Sequence, residues 1–500
     1  MSVLVALDAG TGGGKCTVFD GTGRALASQR EAWSYELIRD PAIPFVKGFA
    51  FEPAAFWAAL CRCVQAALAA AHVAPRDVAG VACTSQREGC VFLDAAGHEI
   101  YAGPNLDARG FAEGMEVLGT LGPERLHQIT GHSAPFIFPI ARYLWFRKHD
   151  PRPVAHLLMI SDWLTYQLSG VLTAEPSNAT ESMLFDLRAR AWSSEILDRF
   201  DIPAHILPPV VLPGTRVGAV TAAAAAQSGL LAGTPVLVGG ADTQCSLLGA
   251  GAIDAGDTAA TLGTTTPVQS VVAAPLFDPA ANLWAGCHVV PDRWVIESNT
   301  GDTGDAYQWL LELVAGDRSP AERYALGETW AAETPAIEAA AFVGPSVFDL
   351  NKMRPNKPGG LLFPFPAMHL RPDRAALVRA FMESVGYAIR ANLAQIEALT
   401  TTRTTALFLS GGLSRSRALM TLIRDIVGLP VRIATEPESA PLGCAILAAT
   451  GMGLYADLRA AVAAMVHHHD EAPDSARAEQ FAMGYARWRE LYDALDNMSI

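Results

Sequence analysis

The sequence predicts an α/β protein of two domains, and three observations lead to this prediction. The chain has 500 residues, too many for one compact core. Short apolar runs of strand length alternate with longer segments of helical spacing. Glycine-rich turns follow three separate strand candidates, at Asp8–Lys15, Leu262–Thr266 and Ser410–Ser414.

Composition excludes several classes of partner. The formal net charge of -14 argues against a nucleic acid or an anionic membrane, although local dipoles or a metal can still bind phosphate in an acidic protein. Eight cysteines occur without a CxxC pair, which favours a reduced, cytoplasmic chain. We expect no signal peptide and no stretch long and apolar enough to span a bilayer.

The N-terminal segment predicts a strand meander. Strand candidates run over Ser2–Leu7, Cys16–Asp20 and Arg24–Ser28, and the turn Asp8–Lys15 joins the first two. P-loop and Rossmann glycines open a helix, whereas these glycines lie in a hairpin turn. They would therefore cradle phosphate inside a hairpin.

The rest of the chain continues the alternation without a long linker. Helices are predicted over 56–71, 159–168, 217–233 and 375–399, with a further helix opening at Asn105–Arg109. Strands are predicted over 78–83, 294–298, 406–409 and 431–434. The segment 256–272 resembles the N-terminal hairpin. We place the domain boundary between Gly240 and Asp257 and divide the chain into 1–246 and 247–500.

A single carboxylate, Asp242, follows a strand candidate and two glycines. The apolar run Pro235–Val238 precedes Gly239 and Gly240. Asp242 is either the N-cap of the next helix or a catalytic base at a strand end. This stretch alone leaves both alternatives open.

Taken together, the motifs resemble the FGGY carbohydrate kinases of the actin–hexokinase ATPase superfamily, over about residues 3–455. The matching segments are Leu7–Lys15, Gly239–Asp242, Leu262–Thr265, Thr303-Gly304 with Trp309, Gly411-Gly412 and Pro441–Ala445. The resemblance implies a ribonuclease-H-like fold in each half, with the active site in the cleft between them. The N-terminal half would bind the sugar and the C-terminal half the nucleotide.

The resemblance also implies roles for particular residues. Asp242 would accept the proton of a sugar hydroxyl, which is a weak nucleophile without a base. Asp8 would hold Mg²⁺ through waters. ATP would contact the glycine-rich turns through Thr11, Gly12, Gly13, Lys15, Gly263, Thr264, Thr265, Thr303, Gly304, Gly411, Gly412 and Gly443. For Lys15, a solvated position at a strand end is an alternative.

Substrate recognition is expected in the N-terminal half. The candidate residues are Gln86, Arg87, Glu88, Asn105 and Asp107, whose side chains can bind hydroxyls. From the residues alone, 86–89 could be a surface turn and 105–109 a capping box.

The segments Met159–Trp163 and Pro176–Thr180 look closest to the autoinducer-2 kinase branch. Two departures concern Arg142, where the family pattern usually has Lys, and a short 343–370 loop.

The implied activity is ATP-dependent phosphorylation of a small sugar or polyol of the ketose or pentulose type. One alternative is an autoinducer-2 kinase acting on a five-carbon signal, and a distant one is a non-catalytic nucleotide-binding protein of the actin type. That last alternative predicts a lost base or a lost sugar turn, and both motifs are present. A homodimer remains open.

Overall fold

The computed structural model describes residues 3–39, 46–335, 339–349, 359–363 and 373–498. Much of the 343–370 loop lies outside these residues. The chain forms two compact units. Unit 1 comprises residues 1–253, 272–295 and 438–467, and unit 2 comprises 254–271, 296–437 and 468–500. Because both units draw on separate segments, the division into 1–246 and 247–500 stays a prediction.

Strands and helices alternate along both units. The strands are β1 (Val3–Gly10), β2 (Gly13–Phe19), β3 (Ala25–Ala32), β4 (Glu36–Arg39), β5 (Lys47–Ala50), β6 (Val78–Ser85), β7 (Cys90–Leu93), β8 (Glu99–Gly103), β9 (His156–Met159), β10 (Phe185–Asp186), β11 (Ala191–Trp192), β12 (Arg216–Ala219), β13 (Pro235–Ala241), β14 (Thr258–Thr261), β15 (Thr265–Val272), β16 (Trp284–Cys287), β17 (Trp294–Asp302), β18 (Ala340–Ala341), β19 (Leu361–Leu362), β20 (Leu407–Ser410), β21 (Val431–Ala434) and β22 (His468–Glu471). The helices are α1 (Pro53–Ala70), α2 (Phe111–Leu121), α3 (Pro123–Thr130), α4 (Pro139–His149), α5 (Ile160–Ser169), α6 (Pro176–Thr180), α7 (Ser194–Arg199), α8 (Ala222–Ser228), α9 (Asp242–Gly249), α10 (Gly304–Ala315), α11 (Pro320–Glu333), α12 (Arg374–Thr400), α13 (Arg417–Val427), α14 (Ser439–Gly451), α15 (Leu458–Met465) and α16 (Ser475–Asp496).

The main sheet of unit 1 has the strand order β12–β13–β6–β1–β2–β3. Strands β1, β2 and β3 form an antiparallel meander, and β6 and β13 continue the sheet in parallel with β1. Asp8 pairs with Lys15 and Gly10 with Gly13, which leaves Thr11 and Gly12 as the turn. The predicted meander, with its glycines in a hairpin, is therefore confirmed.

The sheet strands of unit 2 follow the order β17–β15–β14–β20–β21–β22. Strand β14 pairs antiparallel with β15 and parallel with β20, and β20 pairs parallel with β21. The segment β17–β15–β14–β20–β21 thus repeats the arrangement β3–β2–β1–β6–β13 of unit 1. The predicted likeness of 256–272 to the N-terminal hairpin corresponds to β14 and β15.

Helix α1 corrects one expectation. Its 18 residues have a mean hydropathy of 1.3, so by length and composition this helix could cross a membrane. Half of this window is buried, and Phe56, Leu60, Val64 and Leu68 belong to the core of unit 1. Packing against the sheet accounts for its apolar character without a bilayer.

Two predicted helices are wrong or shorter than expected. Residues 105–109 form a turn, in which Asp107 accepts the backbone N–H of Arg109, and α2 begins only after Gly110. Within 217–233 the helix is confined to α8, because Arg216–Ala219 pairs with β13 as an edge strand. In both segments, contacts with the rest of the fold determine the structure, although the local sequence pattern indicated a helix.

Candidate functional site

Asp242 is the first residue of helix α9, directly after strand β13. The N-cap position belongs to Ala241, and its side chain makes no capping bond. The carboxylate of Asp242 accepts the backbone N–H of the next residue, Thr243, at 2.7 Å. Asp242 is therefore not the N-cap residue. A carboxylate in the first helical turn is favoured by the helix dipole.

The two glycines before Asp242 are required by close packing. A Cβ at Gly239 would lie 1.9 Å from the carbonyl oxygen of Cys83, and one at Gly240 would lie 2.3 Å from Val289. The pairing of β13 with β6 also shifts register between Leu237 and Gly240, as in a β-bulge. Bulges re-aim the residues that follow them, and here the next residue but one is Asp242.

The environment raises the pKa of Asp242 to about 7. Loss of hydration is the largest cause, since protein atoms surround the carboxyl although part of its surface is exposed. Asp8 and Glu88 raise the pKa further, whereas Arg87 and the N–H of Thr243 lower it. A carboxylate with a pKa near neutrality is suited to accept a proton in turnover.

Arg87 and Glu88 lie in a tight turn after β6, and both are buried. The Arg87 guanidinium lies 3.6 Å from the Glu181 carboxylate and 5.3 Å from the ring centre of Trp284. His132 lies 3.4 Å from the other oxygen of Glu181, and burial holds its pKa well below the usual value. The turn is therefore a packed charged cluster, unlike a solvated surface turn.

Glu88 has a left-handed backbone conformation, with φ of 58°. Its carbonyl accepts a hydrogen bond from the Arg142 guanidinium at 3.0 Å, and the same side chain donates to the carbonyls of Asp107 at 2.9 Å and Gly103 at 3.3 Å. The planar fork of Arg can serve several carbonyls at once, which the single ammonium of Lys does less well. Arg142 thus ties the 86–89 turn to the 103–107 turn.

Asp107 is placed differently from the prediction. It is fully buried, and its oxygens accept from the N–H of Phe49 at 3.0 Å, from the Arg109 side chain at 2.9 Å and from the hydroxyl of Tyr101. Neighbouring Arg142 and Arg109 hold its pKa low against the effect of burial. This set of partners gives Asp107 a positioning role and leaves its proposed contact with sugar unsupported.

Gln86 and Asn105 link the two substrate turns to the glycine hairpin. Gln86 accepts the backbone N–H of Asn105 at 3.0 Å and donates to the hydroxyl of Tyr35 at 3.0 Å. Asn105 donates to the Thr11 hydroxyl at 2.9 Å. Its amide oxygen is buried and has no partner among the described residues, so it can still accept from a ligand hydroxyl.

Asp8 meets the requirements of a magnesium ligand. One carboxylate oxygen is buried without a partner among the described residues, and desolvation raises the pKa of the group. Across the described part of the chain, no cluster of three or more His, Cys, Asp or Glu side chains is arranged to hold a metal. Mg²⁺ commonly uses one or two protein carboxylates and completes its shell with water and phosphate, so a lone Asp8 fits it.

Other hairpin residues have structural partners. Gly12 is exposed and its carbonyl accepts from Arg30 at 3.3 Å, whereas Gly13 is buried in β2. Lys15 forms an ion pair with Glu438, so it is not simply a solvated strand-end lysine. Its contact with phosphate stays a prediction. Thr11 offers its carbonyl to Tyr35 at 2.6 Å.

The candidate phosphate residues of unit 2 converge on one edge of its sheet. Thr303 donates its N–H to the carbonyl of Thr264 at 2.8 Å, and Gly304 donates to Gly263 at 3.1 Å. Gly411 has φ of 93°, and a Cβ there would lie 2.6 Å from the carbonyl of Leu262. Gly412 and Thr264 are exposed, Thr265 is partly exposed, and α10 begins at Gly304. Exposed turns beside a helix N-terminus suit an anionic ligand.

Gly443 has a different environment from these turns. It lies within α14 in unit 1, where a Cβ would meet the carbonyl oxygen of Cys245 at 2.0 Å. The residue therefore allows α14 to approach α9 closely. Its predicted contact with the nucleotide has no support from this position.

Sequence reasoning missed several residues of this region. Glu181, Trp284 and Arg142 reach the charged turn only through tertiary contacts. Ser177 lay within the 176–180 segment, and Thr84 lay between the predicted strand 78–83 and the 86–89 turn, yet their hydroxyls bind the backbone beside Asp242. The signals available were the departure from the family pattern at Arg142 and the position of Glu181 directly after 176–180.

Comparison with known proteins identifies the family of the chain. Residues 3–249 match the N-terminal domain of the FGGY family of carbohydrate kinases, and residues 258–452 match its C-terminal domain. A protein named autoinducer-2 kinase from Klebsiella pneumoniae subsp. pneumoniae is 34% identical over 98% of this chain and 94% of its own length.

Solved structures show the same two-domain α/β fold. The xylulose kinase from Rhodospirillum rubrum superposes with a TM-score of 0.82 and 25% identity, over 99% of each chain. The Plasmodium falciparum glycerol kinase with ADP has a TM-score of 0.83 at 16% identity, over 100% of this chain and 99% of its own. The predicted fold class is confirmed, and the chain belongs to the FGGY family of carbohydrate kinases, as an ATP-dependent sugar kinase.

Proposed function

We propose that this kinase phosphorylates a hydroxyl of a small ketose, pentulose or related polyol, with Asp242 as the general base. The observation that carries the proposal is the position of Asp242 at the end of β13, with its pKa raised to about 7. A base of this pKa accepts a proton readily at neutral pH. Arg87 and Glu88, which influence that pKa, lie in the same unit.

The residues divide the chemistry as follows. Asp242 takes the proton as the hydroxyl oxygen attacks the γ-phosphorus, and Arg87, Glu88 and the free amide oxygen of Asn105 orient the substrate. The backbone and hydroxyl groups of Gly263–Thr265 and Gly411-Gly412 bind the phosphates of ATP. Asp8 would hold Mg²⁺, which when bound supplies positive charge to the phosphate oxygens.

An autoinducer-2 kinase activity is a second candidate. It is supported by the 34% identity to a protein of that name over nearly the whole chain. The xylulose kinase of similar fold, at 25% identity, supports a pentulose instead. Both candidates use the same base and the same phosphate turns, so they differ only in the acceptor.

A coupled ADP-release screen tests the proposal. The acceptors are glycerol, tetruloses, pentuloses, pentitols and the autoinducer-2 precursor, and Asp242→Asn is assayed in parallel as the blank. We expect one acceptor class to be turned over by the wild type and not by the variant. ADP release that does not depend on any acceptor, or that survives in Asp242→Asn, would contradict the proposal.

We further propose a cytoplasmic location, supported by eight buried cysteines that are all free thiols. A homodimer remains a proposal that sedimentation can test.

A further inference from the structure

One peptide group beside Asp242 is held by two buried hydroxyls. The group joins Gly240 to Ala241. Its carbonyl accepts from Thr84 Oγ1 at 2.8 Å, and its N–H donates to Ser177 Oγ at 2.9 Å. Thr84 and Ser177 are both fully buried in unit 1. Because a peptide group is planar, bonds at its two ends fix its rotation about the chain.

The orientation of Ser177 is itself determined. Its hydroxyl donates to the carboxylate of Glu175, so that its lone pairs remain for the N–H of Ala241. Glu175 is anchored in turn, because its carboxylate accepts the N–H of Asn178 at 3.0 Å and its own N–H donates to Asp162 at 3.2 Å. The serine therefore accepts from a fixed direction.

This peptide lies just past an irregularity in strand β13. The pairing with β6 shifts register between Leu237 and Gly240 and resumes with Gly240 opposite Thr84 and Ala241 opposite Ser85, the last two pairs before Asp242. Gly239 and Gly240 also have the widest conformational range of any residue type. The two hydroxyl bonds add a side-chain restraint to the peptide directly before Asp242.

We propose that Thr84 and Ser177 form a hydroxyl clamp that positions the catalytic base. The proposal rests on the proposed function, in which Asp242 is that base. Both are positioning residues, since neither hydroxyl bonds to Asp242 itself. A turn of the clamped peptide would displace the carboxylate, and a displacement of about 1 Å can cost about a hundredfold in rate.

The test compares Ser177→Ala and Thr84→Val with a matched control. We expect kcat to fall about tenfold to a hundredfold in each, while KM for sugar and for ATP stays within about twofold. Ser177→Thr and Thr84→Ser retain a hydroxyl and should recover most of the rate. The double variant should lose less than the product of the two single losses, because both bonds restrain one peptide.

Ser228→Ala is the control, since this fully buried serine of unit 1 donates to the carbonyl of Ala224 within α8 at 2.7 Å. Helix α8 precedes the start of β13, whereas Asp242 follows its end. The control should lower the melting temperature about as much as Ser177→Ala and leave kcat unchanged. Equal kcat values for Ser177→Ala, Thr84→Val and Ser228→Ala would overturn the clamp. So would a rise in KM for sugar at constant kcat, which would make these residues part of the sugar pocket.

Asp242→Asn separates the two levels of inference. If that variant retains normal turnover, the proposed base is wrong whatever the clamp variants do. If it is inactive and Ser177→Ala is normal, only the clamp is overturned. Should Ser177→Ala fail to fold, Thr84→Val against Thr84→Ser decides the question.

Discussion

The two units have sheets of the same central order, yet the residues at their strand ends differ in charge. In unit 1, Asp8 lies near the end of β1, Arg87 and Glu88 follow β6, and Asp242 follows β13. In unit 2, β14 and β20 lead to Gly263-Thr264 and Gly411-Gly412. One topology therefore presents charged side chains in one unit, and mainly hydroxyls and backbone groups in the other.

This difference matches the two halves of a phosphoryl transfer. Deprotonating and orienting an acceptor requires charged side chains, such as carboxylates and a guanidinium, and a base whose pKa is shifted by its surroundings. Holding phosphates requires N–H and hydroxyl groups without competing negative charge. The comparison teaches that a strand end is only a location, and that its residues decide the chemistry.

The largest expected effect concerns the base of unit 1. Asp242→Asn should lower kcat by about a hundredfold or more, because an amide cannot accept the proton, and leave nucleotide binding intact. Turnover is measured with the best acceptor, and ADP binding by calorimetry. Near-normal turnover would mean that Asp242 is not the base. The functional difference that we draw between the strand ends of the two units would then fail.

A second variant tests the other carboxylate of unit 1. Asp8→Asn should raise the Mg²⁺ concentration for half-maximal rate by about tenfold, because Mg²⁺ prefers carboxylate oxygen. Sugar affinity, measured in the same Mg²⁺ titration, should change little. An unchanged Mg²⁺ dependence would take Asp8 out of the metal site.

Sugar recognition should depend on unit 1 alone. Glu88→Ala is expected to raise KM for sugar by about fivefold to a hundredfold, the cost of an unpaired buried polar group, with KM for ATP unchanged. Glu88→Gln retains the shape and serves as the milder comparison. A selective loss of ATP affinity would reverse the assignment of the two units.

The reciprocal variant lies in unit 2 and should have a smaller effect. Thr264 is exposed, so Thr264→Ala removes one hydroxyl without disturbing the core. We expect KM for ATP to rise by about twofold to tenfold and KM for sugar to stay constant. Initial rates at varied ATP measure this, and an effect on sugar alone would contradict it.

The smallest effect is on stability. The pKa of Asp242 is about 7 in the folded chain, and an unfolded Asp has a pKa of about 3.9. The folded state therefore binds more protons in this window, and the free energy of unfolding falls as pH rises through it. The asparagine side chain of the Asp242→Asn variant does not titrate, so the variant does not lose this free energy. The free energy of unfolding of the variant minus that of the wild type should therefore rise by on the order of 1 kcal/mol between about pH 5 and pH 8. Urea unfolding at both pH values measures it, and a pH-independent difference would contradict it.

The sequence allowed the framework of the site to be predicted better than its contacts. The N-terminal meander was predicted from glycines that lie between two strand candidates and open no helix. Asp242 was predicted as a candidate base because it is a single carboxylate that follows a strand candidate and two glycines. Asp107 looked like a hydroxyl ligand, because nothing local indicates that Tyr101, Arg109 and the N–H of Phe49 occupy its oxygens. The partner of Lys15 could not be predicted either, because Glu438 is more than 400 positions away along the chain and only the fold brings the two together.

The left-handed backbone of Glu88 has a consequence for protein engineering. A non-glycine residue with φ of 58° carries a conformational cost of about 1 kcal/mol or more, which glycine would remove. A search for stabilising substitutions guided by backbone geometry would therefore select position 88 among the first. A Glu88→Gly enzyme would lose the side chain that we propose orients the acceptor, so a search guided by backbone strain alone would select against activity at this position.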